Sequence, residues 1–346
     1  MKFLHTADVH LDASMQAGMT QNQAKERRRE LYDILENIAD IAVKEGAEAI
    51  LIAGDLFDTV SPSPEAVRRV SQVIAEFAPL DFILLCGNHD GTARVHLPPQ
   101  PNLKIFAGGQ TVFRYGNVAI YGAENPLVTP EELGIDEHDC NIVLLHGEVR
   151  DGGIEVQKWQ NKGVDYLALG HYHRYDSQKL DHRGSYVYAG CPAGRGFDEC
   201  GQKGFVMLTE ENGRLTHEFI PLPGRQFHTV KVDVSSATSL FEMQKEMLDA
   251  TTDIDRNDGV KVELIGEVSP ACLPDKATLQ AKLSKEFWYA RIKDSTTLAL
   301  ASDLAYDTSL RGTFMRCVMI GETDQERRER ILSCGLKALR GEAIDE

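Results

Sequence analysis

Five short apolar runs punctuate the first half of the chain, and each is followed at once by residue types that bind metal. The runs are Lys2–Thr6 ahead of Asp8 and His10, Ala49–Ala53 ahead of Asp55 and Asp58, Phe82–Cys86 ahead of Asn88, His89 and Asp90, Ile142–Leu145 ahead of His146, and Tyr166–Leu169 ahead of His171 and His173. Short continuous apolar runs predict strands buried on both faces. Between the first two, Leu31, Ile34, Leu35, Ile38 and Ile41 recur at helical spacing and predict a helix beginning after residue 21. Ser63-Pro64 predicts the cap and first turn of a second helix. The order strand, helix, strand, helix, strand predicts an α/β sheet with crossovers. Ligands of such sheets bind outside the carboxyl ends of the strands, so carboxylates, an amide and several imidazoles should meet on one rim.

Further strands near 103–106, 111–115 and 117–122 predict the start of a second sheet. Strands near 186–189, 204–209 and 215–220 would complete a two-sheet αββα sandwich, with Glu211-Asn212-Gly213 as a hairpin turn. Pro221-Leu222-Pro223-Gly224 predicts a boundary, giving domains 1–223 and 224–346. The second part reads as a small α+β domain, with strands at Thr229–Val234, Val260–Ile265, Trp288–Ile292 and Phe314–Ile320. Its helices are placed at Leu240–Leu248, Lys276–Leu283 and a closing segment from Asp324 to Leu339. Phe287-Trp288-Tyr289 reads first as strand core, and secondly as a surface on which an unpaired base could stack.

The chemistry follows from residue type and spacing. In extended chain, residues i and i+2 point the same way, so Asp8 with His10, and His171 with His173, could each present two side chains to one pocket. Gly54, Gly87 and Gly170 stand just before ligand candidates, where a sharp turn favours a residue without Cβ. Imidazole, carboxylate and amide oxygen without thiolate suit manganese, iron or zinc. Two manganese ions are the expectation: a pair about 3.5–4 Å apart can bind a phosphoryl oxygen and lower the pKa of a water for in-line attack on phosphorus.

The set Asp8-x-His10, Gly54-Asp55-x-x-Asp58, Gly87-Asn88-His89-Asp90, a lone His146 at a strand end, and Gly170-His171-x-His173 resembles the calcineurin-like metallophosphoesterases. The flanking words His5-Thr-Ala-Asp-Val-His-Leu-Asp12 and Tyr166-Leu-Ala-Leu-Gly-His-Tyr-His173 narrow the resemblance to DNA repair exonucleases of the SbcD and YhaO type. The segment Tyr188–Glu199 resembles that group's last catalytic stretch. The resemblance implies one metal on Asp8, His10 and His173, a second on Asn88, His146 and His171, and Asp55 bridging them. His89 would sit over the site without ligating metal and protonate the leaving oxygen, with Asp90 orienting it. Asp58 would support a ligand, and Arg195 could hold a backbone phosphate. It further implies a manganese-dependent 3′-to-5′ exonuclease with possible single-strand endonuclease action on DNA ends. A homodimer working with an SbcC-like coiled-coil ATPase, under a C-terminal capping domain, would complete the picture. The chain has no G-x-x-x-x-G-K-[ST] motif, so nucleotide hydrolysis would fall to that partner. His5, His96, His138, His182, His217 and His228 fit no ligand element and read as core or surface.

Composition changes the picture in one respect. At 346 residues, with 42% hydrophobic and 26% charged residues, the chain suits a globular protein of about two domains. No apolar run approaches a membrane span, and no secretory leader is evident. Seven cysteines, odd in number and without a C-x-x-C pair, suit reduced thiols in a cytoplasm. The net charge of −16, however, argues against a free-standing DNA-binding surface. Lys25-Glu-Arg27-Arg28-Arg29 is the one local basic patch, and a solvated helix face is the plainer reading of it. The charge keeps two alternatives open: a phosphomonoesterase or cyclic-nucleotide phosphodiesterase of the same superfamily, and a scaffold subunit for an ATPase.

Overall fold

A computed structural model describes the chain except residues 16–17, 108, 110, 270–271, 300–307 and 340–346. It parts into two compact units, Met1–Gln226 and Phe227–Glu346.

In the first unit, strand β1 (Lys2–Thr6), helix α1 (Gln21–Lys44), β2 (Ala49–Ala53), α2 (Pro64–Glu76) and β3 (Asp81–Leu85) alternate as the apolar pattern predicts. Both helices begin where local chemistry favours it. The Thr20 hydroxyl and the Gln23 side chain form a reciprocal capping box, and the Ser63 hydroxyl accepts from Ala66 N–H with Pro64 in the first turn. β4 (Leu103–Ile105) pairs in parallel with β3 and so closes one edge of this sheet, whereas the sequence had suggested that it opens the second. The other edge is made by a late return of the chain. β11 (Gly204–Glu211) pairs antiparallel with β1, and the Asn212-Gly213 hairpin leads into β12 (Arg214–Pro221). Asn212 and Gly213 have φ of 54° and 78°, the sign that a type I′ turn requires. The first sheet therefore runs β12-β11-β1-β2-β3-β4.

The second sheet runs β5-β6-β7-β8-β10-β9. Its strands are β5 (Val112–Tyr115), β6 (Val118–Gly122), β7 (Cys140–His146), β8 (Tyr166–Gly170), β9 (Asp176–Lys179) and β10 (Ser185–Tyr188). Alternation decides the layers. Leu4, Ile50, Ile52 and Leu84 face α1 and α2, while Phe3, Leu51, Ile83 and Leu85 face Ile120, Ile142, Leu144 and Ala168 between the sheets. The outer face of the second sheet is covered thinly, by the one-turn helix α3 (Pro130–Leu133) and by Ile154, Val156 and Trp159. The central strands β1, β2, β7 and β8 end at one rim, and the candidate ligands lie there.

The second unit contains a parallel sheet in the order β13 (Phe227–Asp233), β14 (Gly259–Ile265), β16 (Tyr289–Asp294). Helices α4 (Leu240–Asp249) and α5 (Lys276–Glu286) pack on it through Met243, Met247, Leu279 and Leu283. A short parallel ribbon joins β15 (Glu267–Val268) to β17 (Thr297–Leu298). The expected strand Phe314–Ile320 is instead part of helix α6 (Leu310–Gly321), capped by Ser309 and packed with α7 (Gln325–Leu339) through Met315, Leu332 and Leu336. A short apolar run fits either period, and the Ser309 cap with the partner helix decides for the helix. Phe287 and Tyr289 are buried, and the Phe287 ring lies under the Arg256 guanidinium at 4.6 Å, so these rings serve the core of this unit.

Candidate metal centre

The strand ends converge because their exit loops are zipped together. Asp8 N–H donates to Gly54 O at 3.1 Å, and His10 N–H donates to Asp55 O at 3.0 Å. Asp8, His10 and Asp55 have φ of 54°, 49° and 52°, and His171 has 108°. Left-handed backbone without glycine costs on the order of 1–3 kcal/mol per residue and gathers at functional sites. Asp8 and His10 thus reach one pocket through left-handed turns rather than through the extended i, i+2 geometry expected from spacing. The glycines contribute by size as much as by turn. Gly54 has φ of 93°, and a Cβ there would meet His146 Nδ1 at 2.1 Å. At Gly87 a Cβ would meet Asp55 Oδ1 at 2.2 Å, and at Gly170 it would meet Ala53 O at 2.0 Å, both without a left-handed turn.

Two groups of donors result. Ligand-type atoms of Asp8, His10 and His173 lie within 4.8 Å of one another, as do those of Asp8, Asp55 and His146. Asn88 Oδ1 joins the second group, 2.9 Å from His146 Nε2 and 3.2 Å from His171 Nδ1. Asp55 Oδ2 faces both groups, 3.2 Å from His146 Nε2 and 3.8 Å from His10 Nε2.

The proton positions test whether metal fits. His10 Nδ1–H donates to Asp58 Oδ1 at 2.8 Å, and His173 Nδ1–H donates to Glu199 Oε1 at 2.7 Å. With Nδ1 carrying the proton, the two Nε2 lone pairs point at each other across 3.2 Å. His146 Nδ1–H donates to Ala53 O at 2.9 Å and turns Nε2 toward the Asn88 and Asp55 oxygens. Burial there is outweighed by the Asp55 hydrogen bond and charge, which raise its pKa, so that Nε2 carries a proton which a divalent ion would displace. Between His10 and His173, acceptor against acceptor is repulsive, and a cation there would convert the repulsion into coordination. The set of donors is therefore the one that a pair of divalent ions requires.

Electrostatics agree. Burial, with the nearby Arg195 charge, depresses His10 to about 3, so its imidazole is neutral and ready to ligate. Burial pushes Asp8 up to about 6 against the pull of His146 and His173, the state of a buried carboxylate short of positive charge. Burial would also raise Asp55, but the hydrogen bond and charge of His146 and the N–H of His89 outweigh it and hold Asp55 at about 2.

His89 belongs to neither of these two groups, although one of its ring nitrogens lies within 4.8 Å of ligand-type atoms of His10 and Asp58. Its side chain is 47% exposed, its ring meets the His10 ring edge-on at 4.9 Å, and its backbone N–H donates to Asp55 Oδ1 at 2.9 Å. Asp90 does not orient that ring. Its carboxylate is buried and accepts from the N–H groups of Gly87 at 2.6 Å and Leu56 at 2.8 Å, which ties the β2 and β3 exit loops together. The carboxylate near His89 is Asp58, with Oδ1 3.7 Å from Nδ1.

Arg195 is likewise committed within the protein. Its guanidinium donates to Asp58 Oδ1 at 3.0 Å and to Glu199 Oε1 at 2.7 Å, so it clamps the two carboxylates that hold His10 and His173. Glu199 was not singled out by the sequence. The signal available was its i, i+4 spacing from Arg195 in the segment that follows β10. Arg27, expected on a solvated basic face, is 1% exposed and donates to Gly194 O, bracing α1 against this same loop.

With fold and site described, the class is clear: the calcineurin-like phosphoesterase family profile matches residues 1–175, and the chain belongs to that family. Among curated proteins it is similar to the DNA double-strand break repair protein Mre11 of Sulfurisphaera tokodaii, 29% identical over 215 residues, 55% of this chain and 54% of that protein. It thus matches about half the length of that relative. It is also similar to metallophosphoesterase YhaO of Bacillus subtilis, 25% identical over 277 residues, 71% of this chain and 67% of that protein. Among solved structures, a dimetal phosphatase of Danio rerio aligns with TM-score 0.41 and 12% identity over 63% of this chain and 95% of that one. Among the described residues no helix is long and apolar enough to cross a membrane.

Proposed function

We propose that the chain is a manganese-dependent DNA exonuclease that hydrolyses phosphodiester bonds at strand ends, working 3′ to 5′. The observation that carries the metal chemistry is the pair of opposed acceptors His10 Nε2 and His173 Nε2, beside the Asn88, Asp55 and His146 donors gathered within hydrogen-bond distance of one another. Asp8, His10 and His173 would hold one ion, Asn88, His146 and His171 the other, and Asp55 would touch both. Two such ions supply Lewis acidity toward a phosphoryl oxygen and a water of lowered pKa.

The remaining steps belong to the protein. His89, half-exposed and edge-on to His10, would be the side chain that passes a proton to the leaving oxygen, the role of a positioned general acid. Asp55 Oδ1 fixes the His89 backbone, so the acid and the metal groups are placed by one carboxylate. Asp58 and Glu199 fix the tautomers of His10 and His173, and Arg195 holds both carboxylates in place.

Similarity to a break-repair protein favours a DNA substrate over a small phosphomonoester. The net charge of −16 weighs the other way, although divalent ions reverse the sign locally where phosphate must bind. A cytoplasmic homodimer with an SbcC-like ATPase, in which the second unit helps choose the DNA end, completes the proposal. The test is purified protein with manganese on end-labelled duplex and hairpin DNA, beside nitrophenyl phosphate and cyclic nucleotides. Mononucleotides released from 3′ ends, with small monoesters slower by orders of magnitude, are the expected result. Efficient monoester turnover without cleavage of any DNA form, even with the ATPase partner and ATP present, would overturn the nuclease reading.

A further inference from the structure

An open cleft of about 750 Å³ begins at His173 and runs between the loop after β8 and the loop before β11. Its walls are Tyr172, His173, Arg174, Tyr175, Gln202 and Phe219. Three features give it a chemical character unlike that of the rest of this acidic chain. The first is aromatic surface. Tyr175 and Phe219 lie nearly face to face, with centroids 4.5 Å apart and planes at 32°, and Tyr172 is 45% exposed at the end beside the metal centre. The second is cationic charge. Arg174 is exposed and, among the described residues, makes no ion pair, while Lys203 sits in the wall and donates to His173 O at 2.8 Å. Of the nearby acids, Glu199 is held by Arg195 and His173, and Glu148, which accepts from the Tyr172 hydroxyl at 2.9 Å, is paired with Arg150, which leaves Asp198 as the opposing charge in the wall. The third is continuity, because His173 and Glu199 belong both to the cleft and to the candidate metal centre.

Stacking faces beside an unpaired cation are the combination that recognises single-stranded nucleic acid without reading its sequence. At about 750 Å³ the cleft is the size of a small-ligand site and admits a short stretch of one strand. We propose that this cleft binds the unpaired strand adjoining the scissile phosphate, with a base against Tyr172 and a phosphate on Arg174. The inference rests on the nuclease reading of the metal centre and specifies the form of substrate which that centre receives, an end frayed into single strand rather than a closed duplex.

The experiment measures binding of a fluorescein-labelled phosphorothioate oligothymidylate, which resists hydrolysis, to the manganese-loaded full chain across a salt series. Arg174→Glu and Tyr172→Leu are compared with Arg68→Glu, an equal charge change on an exposed residue of α2. End-labelled duplex cleavage by the wild type is run in parallel, and bound metal is counted in each variant. With both metal equivalents retained, Tyr172→Leu should weaken binding at least about fivefold, the lower bound for losing one stacked base. Arg174→Glu should weaken it and lower the salt slope by about 0.7, the value for one phosphate contact on a single strand. Arg68→Glu should change affinity less than about twofold. Wild-type binding that is indifferent to Arg174 and Tyr172, or equally sensitive to Arg68, would overturn the cleft and leave the nuclease reading standing. Cleft-dependent binding without DNA cleavage would do the reverse, and absence of oligonucleotide binding in the wild type would overturn the cleft outright.

Discussion

Glu199 offers the sharpest test of how the site is held. Its Oε1 accepts from His173 Nδ1 at 2.7 Å and from Arg195 Nη2 at 2.7 Å, and the residue is 8% exposed, so water does not readily replace it. Glu199→Ala removes the acceptor that fixes the His173 tautomer, and the ring can then turn its protonated nitrogen toward the metal. Loss of such an orienting partner costs about 10–100-fold in metal affinity, or about 1.4–2.7 kcal/mol. Glu199→Gln keeps an oxygen opposite Nδ1 and loses only charge, so its penalty should be smaller, within about tenfold. Because Glu199 touches His173 and not His146 or Asn88, only one of two manganese equivalents should weaken. Calorimetric titration of manganese into metal-free protein, with circular dichroism as the check on folding, reads both the number of sites and their order. Two sites of wild-type affinity in the Ala variant would refute the reasoning, and so would equal losses in the Ala and Gln variants, which would assign the effect to charge rather than to the tautomer.

Other predictions follow from the same geometry. Asp55 Oδ2 faces both donor groups, so Asp55→Ala should release more metal than loss of any terminal ligand while the sheet stays folded, and elemental analysis finding two full equivalents would remove its bridging role. His89→Asn should keep both ions and DNA affinity while turnover falls about 10²–10⁴-fold, the range for a positioned acid; metal lost in step with activity would make His89 a ligand. Acid stability should depend on His5, which lies wholly buried between the sheets with Nδ1 2.9 Å from the Tyr166 hydroxyl. Burial first, then the His217 charge, depresses it to about 3 from its ordinary 6.5. The folded value lies below the unfolded one, so this group's contribution is complete above about 6.5 and is lost as pH falls toward about 3, at up to about 1.4 kcal/mol per unit. Denaturant titrations between pH 6.5 and 5 should show His5→Leu losing about 1.6 kcal/mol less than the wild type, and parallel losses would rule His5 out.

Much of the fold was legible because its apolar runs are short, continuous and spaced by helical periods, the signature of strands buried on both faces. What the runs could not tell was which sheet each strand joins. β4 and the β11–β12 hairpin belong to the first sheet because β4 pairs with β3, its neighbour in sequence, while β11 returns from far along the chain to cover the free edge of β1. A pairing between residues about two hundred positions apart leaves no local trace. The segment at 314–320 failed for a different reason: its apolar residues satisfy both periods, and the choice is made by the Ser309 cap and by packing on Leu332 and Leu336, both outside the run.

The candidate ligands were legible for a reason that also explains why their supports were not. A ligand at a strand end is preceded by its own apolar run and often by a glycine, so each motif shows its context within a few residues even though the room that glycine leaves is filled by a donor or backbone atom from another strand. Asp58, in the loop after β2, meets Arg195 and Glu199 in the loop after β10, and Arg27 reaches that second loop from a helix. Asp58 was expected to support a ligand from its place in the Gly54-Asp55-x-x-Asp58 motif, but Arg195 read as a phosphate holder, Glu199 as an ordinary acid and Arg27 as part of a solvated basic patch. Their meaning comes from burial and from opposed partners: an arginine between two carboxylates, each of which holds an imidazole by Nδ1 so that Nε2 faces inward. The motifs thus announce which atoms meet, while the tautomers that make those atoms donors to a metal are set by residues that only the fold brings near.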